Sequence, residues 1–206
     1  MVRDLIRHLF PRAVASDTLR FTYTFCLGGL ALTCLLALAS TGLLLLFYYN
    51  PSPAEAHASI QFLEGSVWAG GYLRSLHRLA AHALLILLGL HTLRVILTGA
   101  FENPRKLNWV VGCLLLFACV FEAYTGYLLP MDQLAYWATE TGMALLRTLP
   151  FGDFLRSLLV PDAVGGPLSL LRFFALHVAV VPLAVFSLAM LHFFVIRRQK
   201  GLLPYL

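Results

Sequence analysis

The sequence predicts an all-α membrane protein, a bundle of four transmembrane helices. Two observations predict it. The first is composition: the 206 residues are 60% hydrophobic and only 12% charged, whereas a soluble domain usually carries about a quarter charged residues. A single core cannot hide that much apolar surface, so lipid is the natural solvent. The second is patterning: the apolar residues fall in four long runs, 21–49, 73–98, 107–129 and 168–196. Each exceeds the ~20 residues that cross ~30 Å of hydrocarbon. Backbone polar groups in lipid must be satisfied within the segment, so each run is expected to be an α-helix.

The loops predict the orientation. Arg3, Arg7, Arg12 and Arg20 precede the first span, and Arg94, Arg105 and Lys106 lie between the second and third. Arg197, Arg198 and Lys200 follow the fourth. These are ten of the 15 basic residues; their side is expected to be cytoplasmic, with both termini on it. Basic clusters of this kind encode topology, so the formal charge of +5 does not point to nucleic acid. Residues 1–20 read as a cytoplasmic-side segment with a short interfacial helix over 2–10, whose apolar side is Leu5, Ile6, Leu9 and Phe10. No short apolar stretch with a small-residue cleavage site marks a signal peptide. Residues 130–167 form an outer-face connection too long for a turn, with amphipathic stretches at 134–149 and 154–160 between proline-containing breaks. One domain over 1–206 is the simplest reading. Cys26, Cys34, Cys113 and Cys119 all lie in apolar runs, a poor arrangement for a disulfide framework.

Five of seven histidines fall in the second and fourth spans: His77, His82, His91, His177 and His192. One histidine in a membrane could simply bond a neighbouring helix. The spacing argues for more. His77 and His91 are 14 residues apart, which places them within ~40° on one helix face and ~21 Å apart along the axis. His177 and His192 are 15 apart, about 22 Å and ~60° off in an ideal helix; Pro182 lies between them and is expected to bend or unwind it. Both spans run from the outer side inward, so His77 pairs with His177 near the outer face and His91 with His192 near the inner. Two bis-imidazole sites at two depths predict two stacked six-coordinate haems b, iron held by these four axial ligands, suited to electron transfer. His82 has no equally spaced partner and is expected to be structural.

Gly28 and Gly42 in the first span, and Gly112 and Gly126 in the third, are also 14 apart. Flat macrocycles among four helices need places where no side chain intrudes, and these glycines, on the spans without ligands, would supply them; the plainer reading is close helix packing. Arg74 and Arg78 beside His77, and Arg94 beside His91, suit haem propionates, or lie at the interface with extended stems.

At this point the residues resemble a family. "FCLGGLALTC", "TGLLLLFYYNP", "RSLHR", "HTLRVILTG", "TGYLLPMDQLAYWA", "LLRFFALH" and "MLHFFVIRRQKG" are similar to the cytochrome b6 family, the short, split cytochrome b of quinol-oxidising Rieske/cytochrome b complexes. The 15-residue spacing matches the split form better than the long mitochondrial form. The resemblance implies a second cytochrome b subunit carrying the remaining helices, a Rieske iron–sulfur protein, a c-type cytochrome and a homodimeric complex, in a bacterial cytoplasmic membrane or a thylakoid. It also implies that Cys26, in its "CLGG" context, carries a third, covalently bound c-type haem; on its own a cysteine in an apolar helix is a small core residue, the reading given to the other three. The usual Pro-Trp-Asp-Gln is here Pro130-Met131-Asp132-Gln133, close to the outer quinol site. Glu122 lies mid-span, one turn from Gly126, and has two readings: proton release from that site, or a neutral carboxyl bonded to a neighbouring helix. The implied activity is quinol oxidation outside, electron transfer across the membrane and quinone reduction inside, as part of an oxidoreductase. Alternatives are the same wire in a Rieske-free complex with multihaem or dehydrogenase partners, and a haem-free anchor or transporter.

Overall fold

The structure, a computed structural model, describes residues 25–198. The expected interfacial helix at 2–10 and both chain termini lie outside the described residues. Eight α-helices follow in order: α1 (Leu27–Leu46), α2 (Ala56–Ser66), α3 (Gly70–Leu97), α4 (Lys106–Leu128), α5 (Gln133–Arg147), α6 (Gly152–Leu159), α7 (Pro167–Ala175) and α8 (Val181–Arg198). A π turn, Leu176–Val180, joins α7 to α8. No strand occurs among the described residues.

The four predicted spans are present as α1, α3, α4 and the continuous helical run Pro167–Arg198. Each is long and apolar enough to cross a membrane. Many of their large apolar side chains face outward, Leu43, Leu79, Phe117 and Leu183 among them, as lipid-solvated helices do. The first span is shorter than expected: α1 closes in a turn where Tyr48 N–H donates to the Leu45 carbonyl. Helix α2, inside the first connection, was not expected from the sequence. Both amphipathic stretches of the long connection are helical, as α5 and α6.

The chain divides into two compact units, each drawing a stretch from every span. The described residues of one are 25–36, 81–119 and 184–198; those of the other are 37–80 and 120–183. The second unit has a hydrophobic core of Ala56, Leu128, Met143, Val160, Val164, Leu170 and Phe173. Its loop helices are locally specified. Asp132 caps α5 by accepting the Ala135 N–H at 2.8 Å. Pro167 opens α7 at a position where its missing N–H is no loss. Asp162 supplies the acceptors there instead, taking the N–H groups of Leu168 (2.9 Å) and Ser169 (3.2 Å) and the Ser169 hydroxyl. These bonds hold the Asp162 carboxyl down at about 2, the Ser169 hydroxyl contributing most.

The expected disturbance at Pro182 takes a definite form. Pro182 has no N–H for the Val178 carbonyl, and the π turn lies immediately before it. A π turn takes up one residue more than the α-helix it interrupts. That is the residue by which the His177–His192 interval exceeds the His77–His91 interval.

Candidate functional site

The second unit brings His77 from α3 to His177 from the π turn; their ring centres are 6.3 Å apart and their planes 78° apart. The first unit brings His91 from α3 to His192 from α8, at 6.5 Å and 77°. These are the two pairings expected from spacing. A metal held by one nitrogen of each ring at about 2.0–2.1 Å, with each ring centre about 1.1 Å behind its nitrogen, needs ring centres about 6.2–6.4 Å apart. Both pairs meet that requirement.

The hydrogen bonds indicate which nitrogen faces the gap. His177 Nδ1 lies 3.1 Å from the backbone carbonyl of Glu122, which can only accept. Nδ1 therefore carries the proton, and Nε2 keeps the lone pair that binds a metal. Thr125, fully buried, donates to the same carbonyl at 2.8 Å, leaving its oxygen to accept from Nδ1 at 3.3 Å. His77 repeats the arrangement on α1. Thr41 donates to the Ala37 carbonyl at 2.7 Å and meets His77 Nδ1 at 2.8 Å. Such contacts fix tautomer and ring orientation, the second half of a metal site.

All four predicted glycines lie under one of the four histidine rings, one apiece. A Cβ built on Gly126 would stand 2.4 Å from His177 Cε1; on Gly42, 3.2 Å from His77 Cε1; on Gly112, 3.2 Å from His192 Cε1; on Gly28, 3.6 Å from His91 Cε1. The glycines thus seat the imidazoles. This adds a physical reason to the one drawn from spacing, which concerned only room for the macrocycle. The donor set, the ring separation and these seats fit a bis-imidazole haem.

The remaining expected residues divide. The Arg74 guanidinium pairs with Glu64 of α2. Arg78 is exposed and Arg94 half-buried on α3. Cys26 is exposed just before α1, with φ +50°. Cys119 is buried, and Cys34 and Cys113 are half-buried. His82 is exposed and joins neither pair. His57 meets the Pro130 carbonyl at 3.2 Å. Met131, in the departed Trp position, has φ +51° and sits on Gly165, where a Cβ would meet its terminal methyl at 2.6 Å. Glu122 Oε1 is 3.1 Å from His177 Nδ1.

Thr41 and Thr125 are site residues that the spacing argument missed. A signal was present: each stands one residue before a seat glycine, Gly42 or Gly126.

Comparison with known proteins gives the family. Residues 14–200 match the family described as Cytochrome b/b6/petB. The chain is 40% identical over 200 residues to cytochrome b6 of Heliobacterium modesticaldum, covering 97% of this chain and 91% of that protein. It is 43% identical over 176 residues to cytochrome b6 of Synechocystis sp., covering 85% and 79%. Among solved structures it resembles a chain of a hyperthermophilic respiratory Complex III, with a TM-score of 0.83 and 29% identity over 98% of this chain. It spans about half of that chain's length, 54%.

Proposed function

The chain belongs to the cytochrome b/b6 family, and from that premise we propose that it is the N-terminal cytochrome b subunit of a quinol-oxidising complex, moving electrons across the membrane. The observation that carries the reading is the pair of histidine pairs, each with ring centres at the separation an iron needs. The family implies haem b. His77 and His177 would hold one, and His91 and His192 the other. Bound haem supplies one-electron chemistry that no side chain here offers.

The chain's own residues do the rest. Thr41, Thr125 and the Glu122 carbonyl hold the Nδ1 protons of the outer pair, so both Nε2 atoms face inward. The four glycines admit the rings. Arg78 and Arg94 are the propionate partners; Arg74 is engaged with Glu64, which supports a structural role for it. Cys26, exposed before α1, is the attachment point for a third haem through a thioether. The Glu122 carboxyl meets His177 on a neighbouring helix, which favours the second of its two readings. An unchanged pH profile of quinol oxidation in Glu122→Gln would rule out the proton role.

The complex on this reading includes a second cytochrome b subunit, a Rieske protein and a c-type cytochrome, is a homodimer, and acts on quinol outside and quinone inside. The membrane is the bacterial cytoplasmic one, with both termini in the cytoplasm. Reduced pyridine haemochrome spectra and a haem-stained denaturing gel on the purified complex test it. Two extractable b haems per chain are expected, with a stained band at the chain's mass. An absence of haem b would overturn the proposal.

A further inference from the structure

We infer that Glu122 is a positioning residue for the outer site: its carboxyl oxygen, 3.1 Å from His177 Nδ1, tunes that imidazole and thereby sets the reduction potential of the haem that His177 would hold. The inference rests on the di-haem reading above and adds a role for a side chain in it.

Three oxygens lie close to one N–H, two of them as its hydrogen-bond partners. Glu122 contributes two of them, its backbone carbonyl and its Oε1, each at 3.1 Å from Nδ1. Thr125 contributes the third, at 3.3 Å, with its own proton given to the Glu122 carbonyl. The second carboxyl oxygen, Oε2, is buried with no hydrogen-bond partner. The carboxyl group therefore has one polar contact of note, and it is the imidazole. Among the described residues, His177 is the only one of these four histidines with a carboxyl group against its ring; His77 meets a hydroxyl at the same ring position. A carboxyl group within a membrane span is destabilising unless it serves a purpose, and this one is aimed at the back of a ligand.

The chemistry gives a direction. An acceptor on the far nitrogen raises the basicity of the ligating one. A stronger donor favours the oxidised iron, and hydrogen bonding of this kind is one of the protein's levers on haem potential. Removing the acceptor should raise the outer potential and leave the inner one in place.

Three forms of the purified complex test this: wild type, Glu122→Gln, which keeps a side-chain oxygen beside Nδ1, and Glu122→Leu, which leaves only the backbone carbonyl and Thr125 there. The readouts are equilibrium redox titration of both b haems at a single pH and the low-spin EPR signal of the outer haem. Glu122→Leu should favour the reduced outer haem by about tenfold, about 59 mV for one electron, and shift its EPR signal. Glu122→Gln should move it less, and the inner haem should not move. If Glu122→Leu fails to assemble, a rise confined to the outer haem in Glu122→Gln carries the inference. Wild-type outer potentials and EPR in every assembled variant would overturn it, as would an equal shift of both haems. A wild-type complex without haem b would instead overturn the reading beneath it.

Discussion

Replacing Gly126 with alanine tests how the site is built. The added methyl would stand 2.4 Å from His177 Cε1 and 2.9 Å from both ring nitrogens, against about 3.5 Å for an ordinary carbon contact. The ring must therefore retreat by about 1 Å, or α4 must shift. Overpacking of this kind costs about 1–3 kcal/mol. Retreat also weakens the Nδ1 bonds to the Glu122 carbonyl and Thr125, about 0.5–1.5 kcal/mol each. At about 1.4 kcal/mol per tenfold in an equilibrium constant, the sum predicts at least about a tenfold loss in haem affinity at the His77–His177 pair. The other three seats form a graded control. Gly42→Ala and Gly112→Ala each face a ring carbon at 3.2 Å and should weaken binding modestly; Gly28→Ala, at 3.6 Å, should be near wild type. The assay is haem b per chain by pyridine haemochrome on the purified complex, with redox titration to identify the missing haem. Full occupancy with an unchanged spectrum in Gly126→Ala would refute the reasoning. So would equal losses in Gly28→Ala and Gly126→Ala.

Three further outcomes are expected. Thr41→Val removes the hydroxyl from His77 Nδ1; the outer potential should rise and the inner stay fixed, both read by redox titration. Cys26→Ser should abolish the haem-stained band while two extractable b haems remain; a persisting band would place the covalent link elsewhere. Asp162, held at about 2 in the fold against an ordinary value of 3.8, contributes stability that is present above about pH 4 and lost as pH falls toward 2. Thermal unfolding against pH should therefore show a shallower acid limb in Asp162→Asn than in wild type.

The architecture was legible wherever a single strong term dictates it. Lipid leaves an apolar run of twenty residues no conformation but a helix, so all four spans could be placed, and helical repeat placed the histidines and glycines. What escaped was set by weaker or purely tertiary terms. Helix α2 reads AHASIQFLEGS, short and mixed, and it forms because Ala56 is in the core with Leu128 and Phe173. No local pattern announces that. The pairing of Arg74 with Glu64 depends on a turn between α2 and α3. The Glu122 carboxyl could be placed on the correct face of its helix, but its partner sits 55 residues away. Only the fold brings them to 3.1 Å.

The π turn before Pro182 also bears on descent. A residue gained within a membrane helix would ordinarily swing everything beyond it by about 100° and carry one ligand off its partner. A five-residue π turn at Leu176–Val180 takes up an extra residue locally. A lineage could thus pass between a 15-residue and a 14-residue histidine interval through one codon gained or lost at this turn.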